Sequence, residues 1–241
     1  MIRAAAPLLV AALALSACQT TQELSAQRAK EAKKLVNQKG LTVGTSNRDV
    51  RVVDSAVLHD RYGAAAVVEL ENTSRRDMAD VPLAIDVRGA GGRTLYRNNA
   101  PGLEAGLVAT PLLPHGRRVV WVNNQVVAAG APRSVAVRVG RPRGRAVARP
   151  PRIELSRIRR DSDTDGAFVT GVVTNRSKVL QRRLIVFCVA RRRGRIVAAG
   201  RGVVEKLPPA PTRKPVRFTI YFIGNPAGAR LGFYAPPVAL S

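Results

Sequence analysis

Residues that build catalytic and metal sites are scarce in this sequence of 241 residues. It contains two cysteines and two histidines, and aromatic residues make up 4% of it. The histidines, His59 and His115, lack metal-ligand spacing, and no nucleophile elbow or phosphate-binding loop is present. We expect His59 in a loop and His115 in a turn. The sequence therefore predicts no catalytic site, metal or cofactor, although a Ser-His-Asp set can assemble from distant positions.

The shortage of aromatic residues also bears on nucleic-acid binding. Proteins that bind single strands without sequence preference stack the bases on aromatic side chains beside basic grooves. Here Trp121 and Tyr221 lie in strand-like runs instead. We therefore expect no specific recognition of nucleic acid.

The N-terminus has the pattern of an export signal. An apolar run from Ala4 to Leu15 follows Arg3 and is too short to cross a bilayer as a helix. It ends in LSAC, residues 15–18, which resembles a bacterial lipobox. The resemblance implies cleavage after residue 17, a diacylglyceryl group on the Cys18 sulfur and a fatty acyl chain such as palmitate on the new N-terminus. An ordinary secretory signal and an uncleaved anchor are the alternatives.

Lipidation at Cys18 would hold the mature chain at a membrane face. Two or three acyl chains anchor a protein stably, whereas a single chain binds only marginally. We therefore predict an extracytoplasmic protein that is lipid-anchored to a bacterial membrane. Cys188 then has no disulfide partner within the mature chain, and its place in LIVFCVA predicts a buried strand position.

Composition divides the chain after the signal peptide, residues 1–17, into four segments. Residues 18–40 are rich in helix formers but have no continuous apolar stripe, which indicates a lipid-anchored, partly helical stalk. From residue 41, short Val-rich runs alternate with turn residues, as in all-β proteins. A Pro- and Arg-rich linker, residues 140–152, separates two β-rich stretches of typical domain size, residues 41–139 and 153–241.

The two β-rich stretches share one pattern. When they are aligned, Asn72 falls on Asn175, Ile85 falls on Cys188, and a Gly-Arg turn follows in both. Six or seven short strands per copy, with turns every 8–12 residues, are typical of immunoglobulin-like β-sandwiches. We therefore predict an all-β protein with two tandem immunoglobulin-like domains.

The alignment also predicts which side chains face the core. In the first copy Leu83, Ile85 and Val87 alternate with other residues, so this face is expected to point inward. The same register places Val186 and Cys188 inward in the second copy.

The repeated pattern is similar to a known domain family. G-x-V-x-N-x-S, then a strand, a Gly-Arg turn and another strand, resembles FxLYD-type domains of bacterial envelope proteins. The second copy, GVVTNRS…LIVFCVARRRGRIVAAG, fits better than the first, although it keeps Phe187 without the Tyr-Asp of the family pattern. The resemblance implies a β-sandwich module with no assigned catalytic site, so it carries no functional residues.

Two further motifs are interpreted as turns. DSDTDG, residues 161–166, has the spacing of a calcium loop, but position twelve is Val172 instead of a bidentate Glu. We interpret it as a solvated hairpin turn. NTS, residues 72–74, and NRS, residues 175–177, match the glycosylation sequon, but we expect Asn and Ser there to hydrogen-bond their own turns.

Positive charge is the one bulk property of the sequence that points to a class of binding partner. The formal net charge is +24, and residues 153–241 hold 17 basic and 5 acidic residues, a net charge of +12. Such an excess attracts polyanions. The 33 arginines against 7 lysines are also what a GC-rich genome tends to encode.

These patterns favour a non-catalytic envelope lipoprotein that acts as an interaction or scaffolding module. Its basic second domain would contact an anionic envelope polymer or a protein partner. The alternative is an enzyme or enzyme accessory with a site at the interdomain cleft, for which a polar pocket near His115 would be expected. The candidate polyanion contacts are Arg182, Arg183, Arg191, Arg192, Arg193 and Arg195.

Overall fold

The computed structural model describes residues 40–128, 130–146, 149–212 and 214–238. The predicted signal peptide, Cys18 and residues 18–39 of the predicted stalk lie outside them. The described residues form antiparallel strands and two short 3-10 turns, η1 (Ala90–Gly92) and η2 (Ala105–Leu107). The all-β class predicted from the sequence is confirmed.

Strands fall into a first half, residues 40–139, and a second half, residues 153–238. The strands of the first half are β1 (Val50–Asp60), β2 (Gly63–Asn72), β3 (Met78–Arg88), β4 (Thr94–Arg97), β5 (Ala109–Leu113), β6 (Arg118–Val126) and β7 (Ser134–Val139). The strands of the second half are β8 (Ile153–Asp163), β9 (Gly166–Asn175), β10 (Gln181–Arg192), β11 (Arg195–Leu207), β12 (Val216–Tyr221), β13 (Ile223–Gly224) and β14 (Arg230–Tyr234).

Most strand pairs occur in the same order in both halves. In the first half β2 pairs with β1 and β6, while β3 pairs with β4, β5 and β7. In the second half β9 pairs with β8 and β12, and β10 pairs with β11 and β14. The short strand β13 pairs with the other side of β11. Each half thus contributes two antiparallel sheets.

The same turn follows the second strand of each half. The Asn72 amide donates to the Arg76 carbonyl at 2.8 Å, and Asn72 Oδ1 accepts from the Ser74 hydroxyl at 2.8 Å. In the second half the Asn175 amide donates to the Val179 carbonyl at 2.7 Å, and Asn175 Oδ1 accepts from the Ser177 hydroxyl at 2.7 Å. Both asparagines are fully buried. The prediction that these residues bond their own turns is confirmed.

Strand β10 is buried on both faces. One face, including Val186 and Cys188, packs on β9 and β12 in the core of the second half. The other face, made by Ile185, Phe187 and Val189, belongs to a core that also contains β2, β3 and β6. A strand that is covered on both sides reads as a continuous apolar run, which explains LIVFCVA. The inward positions predicted for Val186 and Cys188 are confirmed, as are those of the Leu83 face of β3.

Polar contacts also join the halves. The Tyr234 hydroxyl donates to the Leu112 carbonyl at 2.7 Å, and the Gly224 N–H donates to Asp60 Oδ2 at 2.7 Å. These bonds lie at β14 and β13, the two outer strands of the sheet that meets the first half. The two halves therefore share one apolar core and a polar rim.

The chain between the halves runs partly along the first one. Gly140 N–H donates to the Pro82 carbonyl at 2.8 Å, and Gly144 N–H donates to the Ala79 carbonyl at 3.2 Å. Arg143 forms a two-bond ion pair with Asp80. The start of the predicted linker is thus fixed to the edge of β3.

One sequence-based placement is wrong. His59 lies in β1 and pairs with Ala64, instead of lying in a loop. Its neighbours Asp60 and Arg61 suggested a turn, but the turn begins only after Asp60. A charged strand end and a loop look alike when the strand is followed by a tight turn.

Gly200 allows β11 to approach β12 across the two sheets. A Cβ atom at Gly200 would lie 2.1 Å from the Tyr221 carbonyl oxygen, which is backbone and has little freedom to move. We predict that Gly200→Ala lowers the free energy of unfolding by about 1–3 kcal/mol, the usual cost of overpacking. Urea denaturation measures the change.

Gly44→Ala is the matched control, because no atom lies within 4 Å of the Cβ it would add. Equal stabilities of the two variants would contradict the close approach of β11 and β12.

Candidate anion-binding surface

The six arginines singled out from the sequence lie at opposite ends of β10. Arg182 and Arg183 are near its start, and Arg191 and Arg192 are at its end. Arg193 lies in the turn that follows, and Arg195 begins β11. Nine residues of extended strand span about 30 Å. The six side chains therefore do not form a single patch.

Three of the six arginines contact acceptor groups elsewhere in the protein through their guanidinium groups. Arg191 Nη1 donates to Asp54 Oδ2 at 2.9 Å, and its Nη2 donates to the Glu69 carboxylate. Arg183 lies 3.3 Å from a carboxylate oxygen of Glu104. The third, Arg192, donates to the Ala227 carbonyl.

Arg191 in particular joins the halves, because Asp54 and Glu69 lie on β1 and β2 of the first half. Only 30% of its side chain is exposed, which is less than that of any ion-paired arginine other than Arg201. Its charge is thus satisfied inside the protein and is a structural contact. The guanidinium groups of Arg182, Arg193 and Arg195 have no ion-pair partner among the described residues.

A different set of arginines borders a groove on the outer face of the β8–β9–β12 sheet. Strand pairing places Arg159 beside Thr170 and Thr170 beside Thr219, while Val172 lies beside Arg217 in the next row. Side chains alternate between faces, so these residues point away from buried Val169. Arg157 completes the border of a groove of about 340 Å³.

A β-bulge places Arg157 and Arg159 at this outer groove, although Leu155, two residues before Arg157, packs on the core. Between Ser156 and Arg159, β8 advances by one residue more than β9, and Arg157 has a φ of 54°. Such a bulge re-aims the side chain at the extra position. Two arginines separated by one residue and a third from β12 therefore converge on one groove.

The charges of this groove are not neutralised. Arg157, Arg159 and Arg217 are exposed and have no ion-pair partner in the described parts of the chain. The nearby carboxylate of Glu154 is paired with Arg152 at 3.2 Å and with Arg176 at 2.7 Å. An exposed cluster of three unpaired guanidinium groups beside two threonine hydroxyls suits oxyanions, since arginine presents a fork of N–H donors to phosphate and carboxylate.

Sequence reasoning missed this groove because its arginines are far apart in the chain. The outward position of Arg217 follows from the alternation in VRFTIY, which the sequence shows. The positions of Arg157 and Arg159 depend on the bulge, which no residue type in SRIRR marks.

The other motifs are also placed. DSDTDG forms the hairpin turn between β8 and β9, where Asp163 pairs with Gly166, as predicted. His115 lies at a turn, and its backbone N–H donates to Asp77 Oδ1 at 2.8 Å. His115 does not line the groove.

The chain matches no protein-family model and no curated protein. Among the residues that the structure describes, no helix is long and apolar enough to cross a membrane.

The Cys188 thiol is fully buried, as predicted. Burial raises the pKa of Cys188 to about 12, well above the value of about 8.5 for a free thiol. We therefore predict no alkylation of Cys188 by iodoacetamide at pH 8 in the folded protein and rapid alkylation in urea. Labelling is measured on the Cys188 peptide by mass spectrometry.

The same shift gives a pH dependence with a definite sign. The neutral thiol is favoured in the folded state, so its stabilising contribution is complete below about pH 8.5 and is lost as the pH rises toward 12.

Alkylation of Cys188 in the native protein at the rate of a free thiol would contradict the burial.

Proposed function

We propose that the protein is a non-catalytic lipoprotein of a bacterial envelope that binds an anionic polymer through the arginine groove of its second half. Three arginines on one exposed sheet face, with no ion-pair partner in the described parts of the chain, are the observation that carries this proposal. The lipobox-like sequence at residues 15–18 supports the anchor at Cys18 and an extracytoplasmic location.

The repeated strand order and the two matching asparagine turns support a finer description of the fold. They suit two tandem immunoglobulin-like sandwiches of the FxLYD type, related by duplication. In such modules recognition runs through exposed faces and loops, and the framework itself carries no chemistry.

The charge distribution favours the groove over the β10 hairpin as the main contact. Arg191 and Arg183 are paired with carboxylates and Arg192 donates to a backbone carbonyl, so within the described residues only Arg182, Arg193 and Arg195 of the six are unpaired. Arg157, Arg159 and Arg217 are free and close enough to engage successive anionic groups of one polymer. Arg182, Arg193 and Arg195 then act as secondary contacts that raise the rate of encounter.

Neutralising the groove tests the proposal. The full-length chain in nonionic detergent is titrated with polyphosphate over a salt series, and compared with the triple variant in which Arg157, Arg159 and Arg217 are replaced by Gln. We predict that the slope of log affinity against log salt falls by roughly two units, as expected for three lost contacts with a flexible polyanion.

A second triple variant with Gln at Arg75, Arg93 and Arg117 has the same change of net charge. Their side chains are exposed and form no ion pair within the described residues. An equal loss of affinity in both triple variants would show that only net charge matters and would contradict the groove. Absence of polyphosphate binding by the wild-type chain would contradict it as well.

A further inference from the structure

A second cavity lies where the two halves meet. It shares no lining residue with the arginine groove. It has a volume of about 430 Å³, within the range of roughly 300–1,000 Å³ for small-molecule sites. Its walls come from β3, η2 and β5 of the first half, from residues 144 and 145, from the start of β10 and from the chain after β14. The apolar lining consists of Ala79, Ala105, Ala109, Pro111, Ile185 and Val238.

Close packing between the two halves forms part of the cavity wall. Gly106, in the wall, has no room for a side chain, because a Cβ there would lie 1.9 Å from Ile185 Cδ1. Elsewhere in the lining, Val238 is fixed by a hydrogen bond from its N–H to Gln181 Oε1 at 2.8 Å. The cavity is thus a defined apolar space, framed by both halves of the chain.

The charged groups at the cavity sum to a positive rim. Asp80 is paired with Arg143 at 2.9 Å, and Glu104 is paired with Arg183 and Arg201. Arg145 and Arg182 also line the cavity, and neither has an ion-pair partner among the residues that the structure describes.

A buried ion pair between Arg201 and Glu104 lies behind the wall. The side chain of Arg201 is 4% exposed, and its Nη1 atom is buried without a hydrogen-bond partner. Nη1 is 3.3 Å from the place that a Cβ on Gly106 would take, so it lies directly beneath the cavity wall. Glu104 already balances the charge of Arg201, so the uncompensated positive charge at the rim, among the described residues, comes from Arg145 and Arg182.

We propose that this cavity binds a small amphiphile with an apolar body and an anionic headgroup, of the fatty-acid class. The apolar body packs on the alanines and Ile185, and the carboxylate binds at the rim to Arg182 and Arg145. This site uses residues distinct from those of the arginine groove, so its test is independent of the triple variant that neutralises the groove.

Photo-crosslinking with a defined probe tests the proposal. The full-length chain in nonionic detergent is irradiated with a long-chain carboxylic acid that carries an alkyl diazirine, and adducts are mapped by peptide mass spectrometry. We expect adducts on peptides that contain Ala109, Ile185 or Val238. The matching diazirine alcohol, which lacks the charge, is expected to label them about tenfold less, since a charge-assisted contact is lost.

Two variants locate the site. Ala105→Trp places a large side chain at an exposed position of the lining and is expected to abolish these adducts. Arg182→Gln is expected to reduce labelling by the acid about tenfold without changing labelling by the alcohol.

Ala90→Trp is the matched control, because Ala90 is the exposed first residue of η1, as Ala105 is of η2. Its labelling should equal that of the wild-type chain. Adducts that are scattered over the surface, that persist in Ala105→Trp or that form equally with the alcohol would overturn the proposal.

Discussion

The packing of β10 against the first half is the interaction on which the rest of the structure depends. Ile185, Phe187 and Val189 belong to one core with β2, β3 and β6, while the opposite face of β10 completes the core of the second half. Burial of large apolar side chains supplies most of the stability of a domain. Because one strand serves both cores, the arrangement of the halves is fixed, and with it the cavity between η2, β5 and β10.

The arginines divide by location into structural and free groups. Arg191 and Arg201 lie near the junction of the halves and are matched by carboxylates of the first half, Asp54, Glu69 and Glu104. Breaking a pair that is mostly shielded from water leaves an uncompensated charge, so these residues serve the fold. Among the described residues, Arg157, Arg159 and Arg217 of the outer sheet have no such partners, which leaves their charge available for the proposed ligand. Net charge alone does not separate these roles.

Local features of the fold could be predicted from the sequence, and long-range ones could not. The alternation around Ile85 and the repeated N-x-S turns were predictable because pleat and turn geometry act over a few residues. The apolar run around Cys188 indicates burial on both faces but does not identify the layer that covers each face. The groove was missed because the bulge at Arg157 sets its geometry, and the cavity was missed because its lining comes from five separate segments.

The central claim is that the two halves unfold as one cooperative unit, and two natural probes test it directly. Trp121, the single tryptophan, reports on the first half through its fluorescence, and alkylation of Cys188 reports on the second. A urea titration of the full-length chain should give coincident transitions for both probes, the mark of two-state unfolding. Exposure of Cys188 at a urea concentration where Trp121 is still native, or the reverse order, would contradict the shared core.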